Sequence, residues 1–135
     1  MKKVILPLLM LFFAAASYAQ QAQVIGTEAA TFSWKAQEVN LGKIKKGVPA
    51  EAVFTFTNEG KAPLIITEVK PTCGCTIASW PKEPLQKGET ASIKATYNAA
   101  NKGVFHKSIR VYSNSTTPVA VLVIKGEVVE TTVGR

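Results

Sequence analysis

The stretch Ala52-Val53-Phe54-Thr55-Phe56-Thr57, followed by Asn58-Glu59-Gly60, sets the fold class of this 135-residue chain. Apolar side chains occupy every second position of it, and the positions between them carry mostly threonine. In an extended strand, a period of two directs one set of side chains to the core and the other to water. The Asn-Glu-Gly triplet that follows is typical of a chain reversal. We therefore predict a half-buried β-strand that ends in a turn.

The same alternation recurs along most of the chain. Three further runs have these inward-facing sets: Phe32 and Trp34; Ile93, Ala95 and Tyr97; and Phe105, Ile109 and Val111. The runs 64–69 and 119–124 are richer in branched apolar residues, and we expect strands covered on both faces there. Turn-forming residues separate these runs, and no window after the signal segment has the 3.6-residue period of an amphipathic helix. The pattern predicts an all-β chain, an immunoglobulin-like antiparallel β-sandwich of about seven strands.

The first nineteen residues have the organisation of a cleavable signal peptide. Lys2 and Lys3 precede an uncharged, mainly apolar run, and Ser17-Tyr18-Ala19 supplies small residues where a signal peptidase cuts, so we place the cut after Ala19. The predicted organisation is a signal peptide at 1–19, a flexible leader at 20–30, the immunoglobulin-like domain at 31–130 and a C-terminal tail at 131–135. We expect a periplasmic or secreted protein whose mature chain has no membrane span.

Charge and composition argue against a classical enzyme. The chain has no Asp, nine Glu and a single histidine, His106, which the strand pattern places on the polar face. Catalytic relays need general acids and bases brought together, and few are present here. Loss of the two lysines of the signal lowers the formal net charge from +7 to +5. We interpret the lysines, including Lys43, Lys45 and Lys46, as a solvated surface, and export argues against nucleic acid as a partner.

Cys73 and Cys75, with Gly74 between them, are the only cysteines of the chain, and they suggest chemistry. Four interpretations compete: a local disulfide, two packed thiols, a thiol-exchange site and half of a metal site. A metal site lacks further ligands, because both methionines leave with the signal and only His106 remains. A small disulfide that stiffens the loop is the best single prediction, and we predict no catalytic residue, no metal and no cofactor.

The segment 70–84 is the candidate binding loop, because it carries Trp80, which is followed by Pro81 and Pro84. Tryptophan is a frequent anchor of protein interfaces. The alternative is that Trp80 caps the end of the sandwich, while Trp34, near the first strand, is expected to lie in the core.

The order of short motifs along the chain resembles a known family. The series contains Phe32-x-Trp34, Leu41-Gly42-Lys43-Ile44, Phe54-x-Phe56-x-Asn58-x-Gly60, Pro63-Leu64-x-Ile66, Cys73-Gly74-Cys75-Thr76, Tyr97-Asn98, Val111-x-Ser113-Asn114 and Lys125-Gly126. Over about residues 32–126 it resembles the secreted bacterial "domain of unknown function 1573", common in Bacteroidetes. The resemblance implies an immunoglobulin-like sandwich related to major-sperm-protein and pilus-chaperone domains, with the cysteine pair as a recurrent mark, and it implies no established activity.

Together these patterns favour a non-catalytic binding module. Its expected partner is a periplasmic or cell-surface protein or polymer. The alternative function is thiol-redox or metal-handling chemistry at Cys73-Gly74-Cys75.

Overall fold

The computed structural model describes residues 28–130. The predicted signal peptide at 1–19, the leader up to residue 27 and the tail at 131–135 lie outside the described residues.

Within residues 28–130, eight strands form two four-stranded sheets, which confirms the predicted all-β sandwich. The sheet orders are β1-β3-β6-β5 and β2-β8-β7-β4. The strands are β1 (Phe32–Trp34), β2 (Glu38–Lys45), β3 (Ala50–Asn58), β4 (Ile66–Pro71), β5 (Thr76–Ser79), β6 (Thr90–Tyr97), β7 (Gly103–Ser113) and β8 (Val119–Val129).

One strand pair departs from the predicted antiparallel pattern, because β2 runs parallel to β8. The chain leaves β1 at the edge of one sheet and enters β2 at the edge of the other across residues 35–37. These residues include no Gly, Pro, Asn or Asp that would favour a reversal, so the chain changes sheet and keeps its direction. β2 also has a register shift between Asn40 and Lys43, around Gly42, whose φ is +64°.

The predicted inward-facing sets form the core. Phe54 and Phe56 of β3 and Ile93 of β6 lie on the inner face of one sheet, Ile109 of β7 lies on that of the other, and all four are essentially inaccessible to solvent. Trp34 is half-buried at the margin of this core, with its ring centroid 5.1 Å from that of Phe56. His106 is exposed, as its parity predicted.

The expectation that 64–69 and 119–124 are covered on both faces is wrong. Alternate residues of these runs face outward, and Val119, Val121 and Ile65 keep 42%, 47% and 39% of their surface exposed. Branched side chains suit a pleated strand even on a half-exposed surface, so their enrichment indicated a strand without indicating burial.

The register places three connecting segments at one end of the sandwich. β4 runs toward this end and β5 runs away from it, so the connection 72–75 crosses between the two sheets there. The β2–β3 turn and the β6–β7 loop lie at the same end, where the backbone N–H of Gly47 donates to the carbonyl oxygen of Ala99 at 2.9 Å.

Candidate functional site

The two cysteines lie in the connection from β4 to β5, where the chain passes from one sheet to the other. Their sulfur atoms are at bonding distance and their Cα atoms are 5.3 Å apart, within the range of a local disulfide. A crosslink that closes so short a loop removes little entropy from the unfolded chain, about 1.5–2 kcal/mol in the chain-entropy model. A disulfide at this position would therefore constrain the loop more than it would stabilise the fold.

Backbone hydrogen bonds hold both sides of this loop. The N–H and the hydroxyl of Thr72 each donate to the carbonyl oxygen of Ser108 in β7, at 3.0 Å. On the other side, the N–H of Asn98 donates to the carbonyl oxygen of Cys75 at 2.9 Å. The loop is thus fastened to each sheet by contacts that do not involve the sulfur atoms.

The two sulfur-bearing residues have different surroundings. Both are half-buried, but Cys75 packs against the hydrophobic core. Cys73 lies with its Sγ 3.9 Å from the hydroxyl oxygen of Thr76, a residue that is itself buried. Gly74 between them is exposed, and a Cβ built on it would have no heavy atom within 4 Å apart from those of its two chain neighbours.

Strand β5 begins immediately after Cys75 and forms one edge of its sheet. It pairs with β6 on one side, and no strand of residues 28–130 pairs with its other side. Ile77 projects from the outer face of β5 with 75% of its surface exposed. An open edge with an exposed isoleucine is a surface that other chains can use for pairing.

Trp80 lies at the far end of β5 from the cysteines. The structure does not contain one continuous loop at 70–84, because β5 divides that segment, and an extended run of five residues separates Cys75 from Trp80 by roughly 16 Å. The Trp80 ring is half-buried against the core, and Lys82 Nζ lies 3.0 Å from its centroid. Its indole Nε1 is buried without a protein acceptor among the described residues.

A shallow groove of about 380 Å³ lies on the other sheet. Asn40, Lys43, Val104, His106, Lys125 and Glu127 contribute to its walls. Beside it, Lys125 forms an ion pair with Glu38. The hydrogen bond and the charge of Lys125 lower the pKa of the Glu38 carboxyl, against a small opposing effect of desolvation, and His106 lowers it slightly further.

Among residues 28–130, no three His, Cys, Asp or Glu side chains cluster in a way that could hold a metal ion. The same part of the chain contains no helix of the length and apolarity needed to cross a bilayer.

The sequence pattern pointed to Cys73, Gly74, Cys75 and Trp80 but missed two residues of this region. Ile77 could have been found, because it alternates with Thr76 and Ala78 in a short extended run. Thr76 stood in the quoted motif, yet its contact with Cys73 depends on how the loop turns.

The fold and this loop define a class: an immunoglobulin-like β-sandwich with a paired-cysteine connection between its sheets. The chain belongs to the family described as "Protein of unknown function (DUF1573)", whose profile matches residues 32–128. No curated protein matches the chain in sequence.

Solved structures share the fold at low sequence identity. A protein of unknown function from Porphyromonas gingivalis W83 superposes with a TM-score of 0.67 at 15% identity, over 75% of this chain and 48% of that one. The PapD-like domain 7 of human CEP192 gives 0.60 at 12% identity, over 77% of this chain and 89% of that domain. The Vibrio cholerae VesB protease gives 0.59 at 19% identity, over 75% of this chain and 32% of that one. The chain thus spans about half of the Porphyromonas protein and about a third of the protease, and the likeness is one of fold.

Proposed function

We propose that this domain is a non-catalytic binding module that works outside the cytoplasm and receives an extended segment of a partner protein along the open edge of β5. The observation that carries the proposal is the exposed Ile77 on an edge strand whose outer side pairs with no strand of residues 28–130. The predicted signal peptide supports the extracytoplasmic setting.

The hydrogen-bond pattern identifies the backbone groups that a partner would use. The hydrogen bond from Asn98 N–H to the Cys75 carbonyl makes Cys75 and Asn98 a hydrogen-bonded pair of the ladder. The next pair along β5 is Thr76–Tyr97. Because hydrogen-bonded and non-hydrogen-bonded pairs alternate in an antiparallel ladder, Ala78 directs its N–H and C=O toward the open edge. An added strand gains main-chain hydrogen bonds there and an apolar contact at Ile77.

The neighbouring charges favour a partner segment that is apolar with acidic flanks. Ser79 is paired with Lys94, which is exposed, and Lys82 follows at the end of the edge. The disulfide loop supports binding in this proposal by fixing where β5 begins. An edge that is ordered beforehand loses less conformational entropy when a strand is added.

Site-specific photo-crosslinking tests the proposal in cells that produce the full chain. A photoreactive phenylalanine at position 77 is expected to give discrete adducts with another protein. The same group at position 104 is the matched control, because Val104 is 84% exposed but lies on the other sheet. Ala78→Pro, which removes the outward N–H, should abolish the adducts at 77 while leaving the melting temperature nearly unchanged.

Equal adduct yields at positions 77 and 104 would contradict the proposal. Adducts of twice the mass of this chain would instead indicate edge pairing between two copies, and the heterologous partner would be rejected.

A further inference from the structure

We propose that Cys73-Gly74-Cys75 is an exchangeable disulfide that accepts two electrons from a dithiol of a partner protein, with Cys73 as the sulfur that exchanges. This activity is separate from strand addition at β5, since it needs neither Ile77 nor the outward backbone groups of Ala78.

The two ends of the loop are held by hydrogen bonds that do not depend on the bond between the sulfur atoms. Thr72 is held on Ser108 and Cys75 on Asn98 by backbone hydrogen bonds. A bond that contributes little to stability and whose ends are held independently can open and close without unfolding the domain. Structural disulfides, by contrast, resist reduction by glutathione because the fold stabilises them.

Gly74, the residue between the two cysteines, has no side chain that could cover the bond. Gly74 is exposed, and beyond its two chain neighbours no heavy atom lies within 4 Å of the position of a Cβ. Thiol exchange requires an incoming thiolate to reach one sulfur, so access is a condition for reaction. Cys73 is itself only half-buried, so part of the residue remains exposed for that approach.

The surroundings distinguish the two sulfur atoms. Cys75 packs against the core, which shields it, whereas Cys73 has its Sγ 3.9 Å from the hydroxyl of buried Thr76. In the disulfide this contact is weak. A thiolate on Cys73 would accept a stronger, charge-assisted hydrogen bond from the same hydroxyl, which favours the reduced state.

The exchange balances in two steps. A partner thiolate attacks Cys73 Sγ, the bond between Cys73 and Cys75 breaks, and Cys75 leaves with the electron pair and takes a proton from water. The partner's second thiolate then attacks the partner's first sulfur, which is bonded to Cys73 in the mixed disulfide. Cys73 leaves as a thiolate that the Thr76 hydroxyl stabilises before it is protonated. The partner dithiol is oxidised to a disulfide, and the two cysteines of this chain are reduced.

Equilibration of the purified mature protein with mixtures of reduced and oxidised glutathione tests the proposal. Intact mass after alkylation measures the reduced fraction. We expect a reversible transition to the doubly reduced form within the accessible glutathione ratios. A protein that stays fully oxidised in every mixture, or two thiols that never join, would overturn the proposal.

Single-cysteine variants test which sulfur exchanges. With oxidised glutathione, Cys75→Ser should form the mixed disulfide at Cys73 at least tenfold faster than Cys73→Ser forms it at Cys75. Equal rates, or the reverse order, would refute the assignment to Cys73. Melting curves verify that both variants are folded.

The Thr76 hydroxyl provides a matched pair of variants. Thr76→Val should lower the equilibrium constant for reduction by glutathione at least threefold, whereas Thr76→Ser, which keeps a hydroxyl, should stay near wild type. If both variants behave alike, the hydroxyl does not stabilise the Cys73 thiolate. Ile77→Asn should leave this equilibrium unchanged, which separates a failure here from a failure of strand addition.

Discussion

The ring of Phe105 lies against the backbone of Gly126, so that a Cβ on Gly126 would be 2.8 Å from Phe105 Cζ. The two residues are paired across β7 and β8. The carbonyl oxygen of Gly42 in β2 would be 2.7 Å from the same Cβ. Three neighbouring strands and the Phe105 ring, which stacks on Tyr97 with 4.3 Å between centroids, therefore meet where residue 126 has no side chain.

Gly126→Ala is expected to destabilise the domain by about 2 kcal/mol, because the backbone of Gly42 cannot move aside as a flexible side chain could. Urea unfolding of both proteins measures the difference. Gly74→Ala is the control, since its Cβ meets open space, and it should change stability by less than about 0.5 kcal/mol. Similar losses of unfolding free energy in the two variants would mean that the residues around Gly126 can move apart to accommodate a methyl group.

Asn58 is a fully buried amide that links the ends of several segments. Its Nδ2 donates to the carbonyl oxygens of Ala62 and Leu85 at 2.8 and 2.9 Å. Its Oδ1 accepts from the N–H groups of Gly60 and Thr31 at 3.0 and 3.3 Å. Asn58→Ala leaves these buried groups unpaired, so we expect a loss of about 3 kcal/mol in chemical denaturation.

Asn114 is the matched control for Asn58, because its amide makes two comparable contacts in an exposed position. It accepts from the N–H of Ile65 and donates to the carbonyl oxygen of Pro63, at 2.8 and 2.9 Å. Water can replace these contacts, so Asn114→Ala should lower stability by only about 1 kcal/mol. An equal or greater loss than at Asn58 would contradict the role of burial.

Substitution of Trp80 shows whether this residue contributes to the stability of the fold or to binding. Its ring packs on the core, so Trp80→Ala should lower the free energy of unfolding by about 2 kcal/mol, toward the low end of core truncations because the residue is half-buried. Lys82→Ala removes the cation above the ring and should lower it by less than about 1 kcal/mol. If Trp80→Ala leaves the melting temperature unchanged but abolishes crosslinking at position 77, Trp80 is a binding anchor instead.

The ion pair of Glu38 and Lys125 predicts a small pH dependence. Because Lys125 lowers the pKa of Glu38 in the folded state, the pair stabilises the fold above the ordinary carboxyl value of 4.5 and stops doing so as pH falls through the lowered value. Glu38→Gln should therefore melt slightly below wild type at pH 7 and coincide with it in strong acid. The effect is small, since the carboxylate is solvent-exposed, and 0.5 M salt should reduce it. A difference in melting temperature between the two proteins that grows on acidification would contradict a stabilising role of the ion pair.

Much of the fold could be predicted, because side-chain alternation is a local property of an extended chain. The parity of Phe54 and Phe56 indicated the core face of β3, and the same parity extends to Asn58. Its role as a buried hydrogen-bonding residue was not recognised, since an Asn-Glu-Gly triplet also suits an exposed turn. The branched residues at 119–124 led to a wrong prediction of burial on both faces for a related reason. Strand preference and burial favour the same residue types.

Spacing along the chain was enough to predict most of the strands, the inward faces of β1, β3, β6 and β7, and the closeness of the two cysteines. Only the tertiary structure decided that β2 runs parallel to β8, that β5 is an edge and that Trp80 lies a strand's length from Cys75. It likewise decided which sulfur meets the Thr76 hydroxyl. Strand partners and the path of a loop depend on contacts between residues far apart in sequence, and no local period records those contacts.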